Sequence, residues 1–315
     1  MGPSKAADVT IRPLSAWAEY LAAEELQRAV WQMPDWRDVV PASLLITAHK
    51  HGGILLGAFA PDDRLIGFAF SFLGRADQGG QRVLKQCSHM LAVRSEYQGQ
   101  QIGARLKFEQ RQAALAQGIA LMTWTYDPLL ALNARLNLAR LGAIARRYIV
   151  SAYGEMTDAL NAGLPSDRFE VEWWLNAPRV LARVPPSSTV LPPQDRPARL
   201  GDHPCETSAE SPQNDWATLT RAMSPVFDVT FDARGLPRIE RVVAPRGDSL
   251  WLEIPADLGA LKAAAPDLAR AWRLDTRAAF QRLFDAGYVA ADFVYARAGP
   301  SRAAYILTRQ PLELG

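Results

Sequence analysis

The chain has 315 residues, 49% of them hydrophobic and 22% charged, with a formal net charge of +2 and a pI near 8.6. This composition suits a soluble globular protein, the length one large or two medium domains, and the charge gives no broad nucleic-acid footprint. Two cysteines, Cys87 and Cys205, supply neither a disulfide framework nor a metal cluster. No apolar run is long enough to span a membrane and no signal-peptide pattern opens the chain. The expected setting is therefore cytoplasmic, with no metal and no nucleic-acid or membrane partner.

In chain order, residues 8–14 read as a first strand ended by Arg12-Pro13. Ser15 is the expected N-cap of a helix over 16–33, stopped by Pro34. A short helix follows Pro41. Residues 54–59 and 65–73 are apolar runs separated by Pro61-Asp62-Asp63-Arg64, which predicts a hairpin. The polar stretch 74–81 reads as a turn into the next strand. In that strand Cys87, His89, Leu91 and Val93 alternate onto one face, and Ser88, Met90 and Ala92 onto the other. A helix is expected from Ile102 to about Ala116, with Ile102, Leu106 and Ala113 in one stripe and Ala104, Phe108 and Leu115 in a second.

Between that strand and helix lies Gln98-Gly99-Gln100-Gln101-Ile102-Gly103. The first N–H groups of a helix have no internal partner and lie at the positive end of its dipole. A glycine-containing turn there admits an anion such as pyrophosphate. An ordinary strand-turn-helix is the plainer alternative.

After the helix, residues 119–126 read as a strand parallel to the first, ended by Asp127-Pro128, and 129–141 as a helix closed by Leu141-Gly142-Ala143. Residues 145–150 and 169–175 are the next strands, joined by a loop carrying Tyr153, Gly154, Glu155, Met156 and Asp167-Arg168. Residues 184–216 are rich in Pro, Ser, Asp and Arg and read as a linker or a crossing loop. Beyond them, strands are expected at 226–231, 239–243 and 250–254, a helix at 268–286, and two strands at 289–296 and 303–309.

Leu91-Ala92-Val93, Tyr97-Gln98-Gly99 and Ile102-Gly103 resemble the coenzyme A motif of the GNAT N-acetyltransferases. Gln98 matches its first position and Gly103 its last, while Gln101 stands where the middle glycine falls. The order of elements over residues 8–178 resembles the same superfamily. Residues 123–128, 141–148 and 167–175 are similar to a branch of predicted GNAT proteins with an added C-terminal region.

The resemblance implies a GNAT-like mixed sheet flanked by helices over 1–180. The Pro-rich segment would cover 181–216. A smaller α+β lobe would occupy 217–315, either a degenerate GNAT-like half or a generic domain. The resemblance also implies an acetyl-CoA or other acyl-CoA cosubstrate, succinyl-CoA among the candidates. Its pyrophosphate would rest on Gln98, Gly99, Gln100, Gln101, Ile102, Gly103 and Ala104. Its pantetheine would meet the backbone of Leu91, Ala92 and Val93 and the side chain of Asn133. The thioester would lie near His89, Leu91, Trp124 and Tyr126.

An amine acceptor must lose a proton before attack, the oxyanion needs a donor, and the thiolate can take a proton. His89, with an ordinary pKa of ~6.5, is the candidate base, with a hydrogen-bonded core histidine as the alternative. The Leu91 N–H is the oxyanion donor. GNAT enzymes often carry a tyrosine acid where this chain has Leu138, which leaves Tyr126 and Tyr153 as candidates. Trp124, Asp127, Arg168, Arg273 and Arg277 are candidate substrate contacts. The arginines would hold a carboxylate, or else pair with Asp167 or Asp275. The leading expectation is N-acylation of a small amine or amino acid, with a homodimer left open. The alternatives are a protein acetyltransferase and a non-catalytic acyl-CoA-binding module.

Overall fold

A computed structural model of the chain describes residues 8–33, 35–154, 163–186, 216–297 and 300–314. Pro34, Glu155, Met156, Cys205 and the linker segment 187–215 lie outside them. The described residues form an eleven-stranded mixed sheet flanked by helices, and a separate two-stranded hairpin. None of the described helices is long and apolar enough to cross a membrane.

The first half runs β1 (Thr10–Pro13), α1 (Trp17–Trp31), α2 (Ala42–Lys50), β2 (Ile54–Phe59), β3 (Leu65–Gln78), β4 (Gln81–Val93), α3 (Ile102–Ala116) and β5 (Leu121–Tyr126). Helix α4 (Ala131–Ala134), β6 (Ile144–Ile149), β7 (Arg168–Trp174) and a short α5 (Pro178–Leu181) complete it. β1 to β4 form an antiparallel meander, with α1 and α2 packed on one face and α3 on the other. The expected stop of α1 lies outside the described residues, and its cap differs from expectation. Ala16 takes the N-cap position, and the Glu19 carboxylate accepts from the N–H groups of Ser15 and Ala16. Arg12, hydrogen-bonded to that carboxylate, holds its pKa at about 2.

The expected polar turn over 74–81 is mostly strand. β3 continues to Gln78, and only Gly79 and Gly80, both at positive φ, make the turn. Alternation also breaks in β4. Phe70 pairs with Met90 and Ser71 with Ser88, so His89 is the extra residue of a β-bulge. Ser88 therefore faces α3 while Met90 and Ala92 pack with the α1–α2 core. The helix expected over 129–141 is an α-helical turn that opens into a π-helical one over Arg135–Arg140, where the Leu141 N–H donates to Leu136 O.

The second half runs α6 (Trp216–Ala222), β8 (Ser224–Pro225), β9 (Phe227–Phe231), β10 (Pro237–Val242), β11 (Ser249–Ile254), α7 (Leu258–Ala264), α8 (Pro266–Asp285), β12 (Val289–Ala296) and β13 (Arg302–Thr308). It continues the sheet of the first half, through β12 against β6. Its order β11-β13-β12 repeats β5-β7-β6, with a helix following the first strand in each. β8 lies parallel to β11 over two residue pairs, as β4 does to β5. The β9–β10 hairpin stands where α3 stands in the first half, so this lobe offers no helix start for a pyrophosphate.

Candidate active site

β4 and β5 are parallel neighbours over Gln86↔Met122 and Cys87↔Thr123 only. Beyond these rungs β4 continues to Val93 and β5 to Tyr126 without pairing to each other. The strands thus part in a V, and the edge of β4 from Ser88 to Val93 faces the opening. Peptide groups on such an edge can bond an amide-rich chain as an added strand would. The Gln98 side chain already donates to Val93 O at 3.0 Å.

The turn above the V places Gln98 to Ala104 at the start of α3. Gly99 has φ 77° and Gln101 φ 60°, so both take left-handed backbone. The first helical bond is Arg105 N to Gln101 O, 3.0 Å. The N–H groups of Ile102, Gly103 and Ala104 therefore have no partner one turn back. A Cβ on Gly103 would first meet the Leu91 side chain at 3.7 Å, in ordinary contact. Gln101 keeps the turn without glycine, and its Oε1 accepts from Arg140 at 2.9 Å.

His89 is exposed on the bulge, with its ring 6.3 Å from Phe70 and 6.0 Å from Phe72, both edge-on. The bulge sets it beside Phe70 of the α1–α2 core, whereas Leu91 and Val93 pack against the core beneath α3. Crowding by the rings lowers its pKa below the ordinary imidazole value. Trp124 leans over α3's inner face and donates from Nε1 to Asn137 Oδ1 at 3.3 Å. Asn133, one turn earlier, is half-buried.

The two tyrosines differ. Tyr126 is buried, bonded to Tyr305 at 3.1 Å, and burial drives its pKa far up. Tyr153 is 54% exposed and bonded to Thr125 Oγ1 at 2.8 Å. The three arginines converge near the end of β5. Arg273 is wholly buried and paired with Asp127. Arg277 takes Asp167 with two bonds, 2.8 and 2.9 Å. Arg168 donates to Asp167 O at 2.9 Å and lies 3.8 Å from Asp127 and 5.4 Å from the Tyr153 ring centre. Three guanidinium groups thus meet two carboxylates, and Nε and Nη1 of Arg273 have no protein partner. Asp275, the other expected partner, lies in no ion pair among the described residues.

The V, the glycine turn and the helix beneath it settle the architecture. The first half of the chain has a GNAT-like fold. No family model matches the chain, and no curated relative does. GNAT-family structures align with about half of it. A GNAT-family protein from Desulfovibrio desulfuricans is 18% identical, over 53% of this chain and 99% of its own, with a TM-score of 0.42. The ribosomal-protein-S18-alanine N-acetyltransferase of Escherichia coli is 15% identical, over 52% and 92%, at 0.40. Naa50 of Arabidopsis thaliana, with a coenzyme A bisubstrate analogue, is 14% identical, over 52% and 97%, at 0.41. At such TM-scores these likenesses add no weight of their own, and the site rests on its geometry.

Sequence reasoning missed one functional candidate, Lys107. Its place between Leu106 and Phe108 reads as surface, yet α3 turns Lys107, Gln110 and Arg111 inward. The signal was their i, i+3, i+4 spacing, which puts three polar residues on one stripe.

Proposed function

We propose that this protein is an acyl-CoA-dependent N-acyltransferase acting on a small amine or amino acid. The observation that carries this reading is the parting of β4 from β5 after two rungs, directly below the open start of α3. In this reading the pyrophosphate rests on the N–H groups of Gly99 to Ala104, since the Gln98 N–H expected to join them donates to Ser95 O at 3.2 Å, and the pantetheine lies along Leu91 to Val93 with Asn133 beside it. The acyl carbonyl reaches the bulge, where the Leu91 N–H receives the oxyanion.

His89 takes the acceptor's proton, directly or through one water, and its lowered pKa keeps it a free base at neutral pH. The amine lone pair then attacks the thioester carbon, and collapse of the tetrahedral adduct breaks the C–S bond. Of the two tyrosines, exposed Tyr153 is the better placed to meet substrate, since Tyr126 is packed against Tyr305. Arg168, though buried, lies 5.4 Å from the Tyr153 ring and is the arginine that touches that tyrosine. Arg273 and Arg277 serve it by fixing Asp127 and Asp167.

The test is thiol release from acetyl-CoA and succinyl-CoA across a panel of amines and amino acids. One pair must turn over, and His89→Ala must lose that turnover while retaining coenzyme affinity. Coenzyme binding without turnover on any amine would instead select a non-catalytic acyl-CoA-binding module, a reading favoured by Leu138 filling the usual position of the tyrosine acid.

A further inference from the structure

Lys107 lies at the vertex of the V. Its side chain is buried, with Nζ donating to Ser88 Oγ at 2.9 Å and to Gln110 Oε1 at 3.1 Å. The ring centre of Trp124 is 3.7 Å away and that of Trp173 5.4 Å. The last rung joining the two strands is Cys87↔Thr123. Ser88 and Trp124 are each the next residue, so the amine sits where the strands first separate.

Among the described residues no carboxylate pairs with Lys107. β4 presents Ser88 to it, β5 Trp124, β7 Trp173 and α3 itself Gln110. The charged groups of these elements turn elsewhere. Arg111 donates to Leu175 O, Glu170 pairs with Arg147 and Glu172 with Arg146. Gln110 Nε2, also buried, has no partner. A lone buried ammonium costs several kcal/mol, and an apolar side chain would pack the same space without that penalty. Such a group beside a reacting centre is a candidate acid.

Resting on the acyltransferase reading, we propose that Lys107 donates the proton taken up by the departing thiolate of the acyl-CoA. When the C–S bond breaks, its electron pair goes to sulfur, and an N–H of Lys107 is transferred there to give the free thiol. The neutral amine regains a proton from solvent, matching the one that the acceptor amine released. Burial brings the Lys107 pKa down to about 7, where an amine can give and regain a proton.

The test uses the full chain and coenzyme A itself. Calorimetry first establishes binding to wild type and Lys107→Met. The thiol of the bound coenzyme is then titrated by its ultraviolet thiolate absorbance. The proposal requires that thiol to be about tenfold more acidic on wild type than on the variant, because thiolate and ammonium stabilise each other and titrate as a pair, the thiolate holding the proton on Lys107. Equal acidity on both proteins overturns the proposal and leaves the acyltransferase reading intact. Absence of coenzyme A binding to wild type overturns both. If Lys107→Met does not fold, wild type alone decides. By NMR of labelled lysine, the Lys107 titration must move upward with coenzyme A and not with desulfo-coenzyme A; equal curves overturn the proposal.

Discussion

Ala145 of β6 pairs with Ala290 of β12, and this rung joins the two halves of the sheet. Polar bonds reinforce it on both sides. Arg179 donates to Gly142 O and Ala291 O, and Arg183 reaches Asp292 at 3.2 Å. Tyr305 donates to Pro128 O at 2.7 Å, and Arg273 reaches across to Asp127. The second half therefore buttresses the strand end that bears the arginine cluster.

Arg273→Ala follows directly from that contact. It leaves the buried Asp127 carboxylate with only the more distant Arg168 guanidinium, 3.8 Å away, a loss of about 3 kcal/mol. Denaturant unfolding should show it as a lowered midpoint, with part of the loss recovered in Arg273→Met/Asp127→Asn. A midpoint unchanged in Arg273→Ala would mean that the pair contributes nothing to holding the halves together.

Lys107 makes stability depend on pH in a defined sense. Its folded pKa, about 7, lies below its unfolded value, so the unfolded chain binds more protons between the two. Stability then rises with pH across that window, and the burial penalty is fully present below it. Lys107→Met should therefore gain most over wild type below pH 7. That gain should shrink above pH 7 by about 1.4 kcal/mol per pH unit until near the ordinary lysine pKa. Unfolding curves for both proteins at several pH values check this; a pH-independent difference would contradict it.

His89→Ala should lower turnover by about 10²–10⁴-fold and leave coenzyme A affinity unchanged. In wild type the acid limb of the rate profile should fall below pH 6.5, since partial desolvation of the ring against Phe70 and Phe72 lowers the imidazole pKa. A steady-state pH profile with any active amine decides this. An acid limb that persists in the variant would assign it to another group.

Much of this was legible in the sequence. Alternation and helical spacing placed β2, α3, β5, β12 and β13 close to their observed ends, and Gln98 to Gly103 marked the turn. Three features were hidden for physical reasons. Arg75, Asp77 and Gln78 look like loop residues, yet they belong to a long hairpin arm whose faces are largely exposed and need no apolar alternation. The bulge at His89 reverses the faces within β4, and a period of two cannot reveal one inserted residue. Lys107 was hidden because charged residues on a helix ordinarily point to water. The echo of β5-β7-β6 in the tail was visible as an order of elements. Its pairing with the first half was not, because a lone rung between two alanines leaves no pattern.

Coenzyme A titration of wild type and Gly103→Trp tests the central claim most directly. The first turn of α3 is open at Gly103, where only Leu91 lies within contact of an added Cβ. An indole there would cover the N–H groups of the helix start with little disturbance of the core. The account predicts that wild type binds and is stabilised thermally, by ~2.7 kcal/mol at a hundredfold excess over Kd. It predicts that Gly103→Trp folds with a similar melting temperature and does not bind. Binding of equal strength to both proteins would contradict the assignment of this turn as the pyrophosphate site.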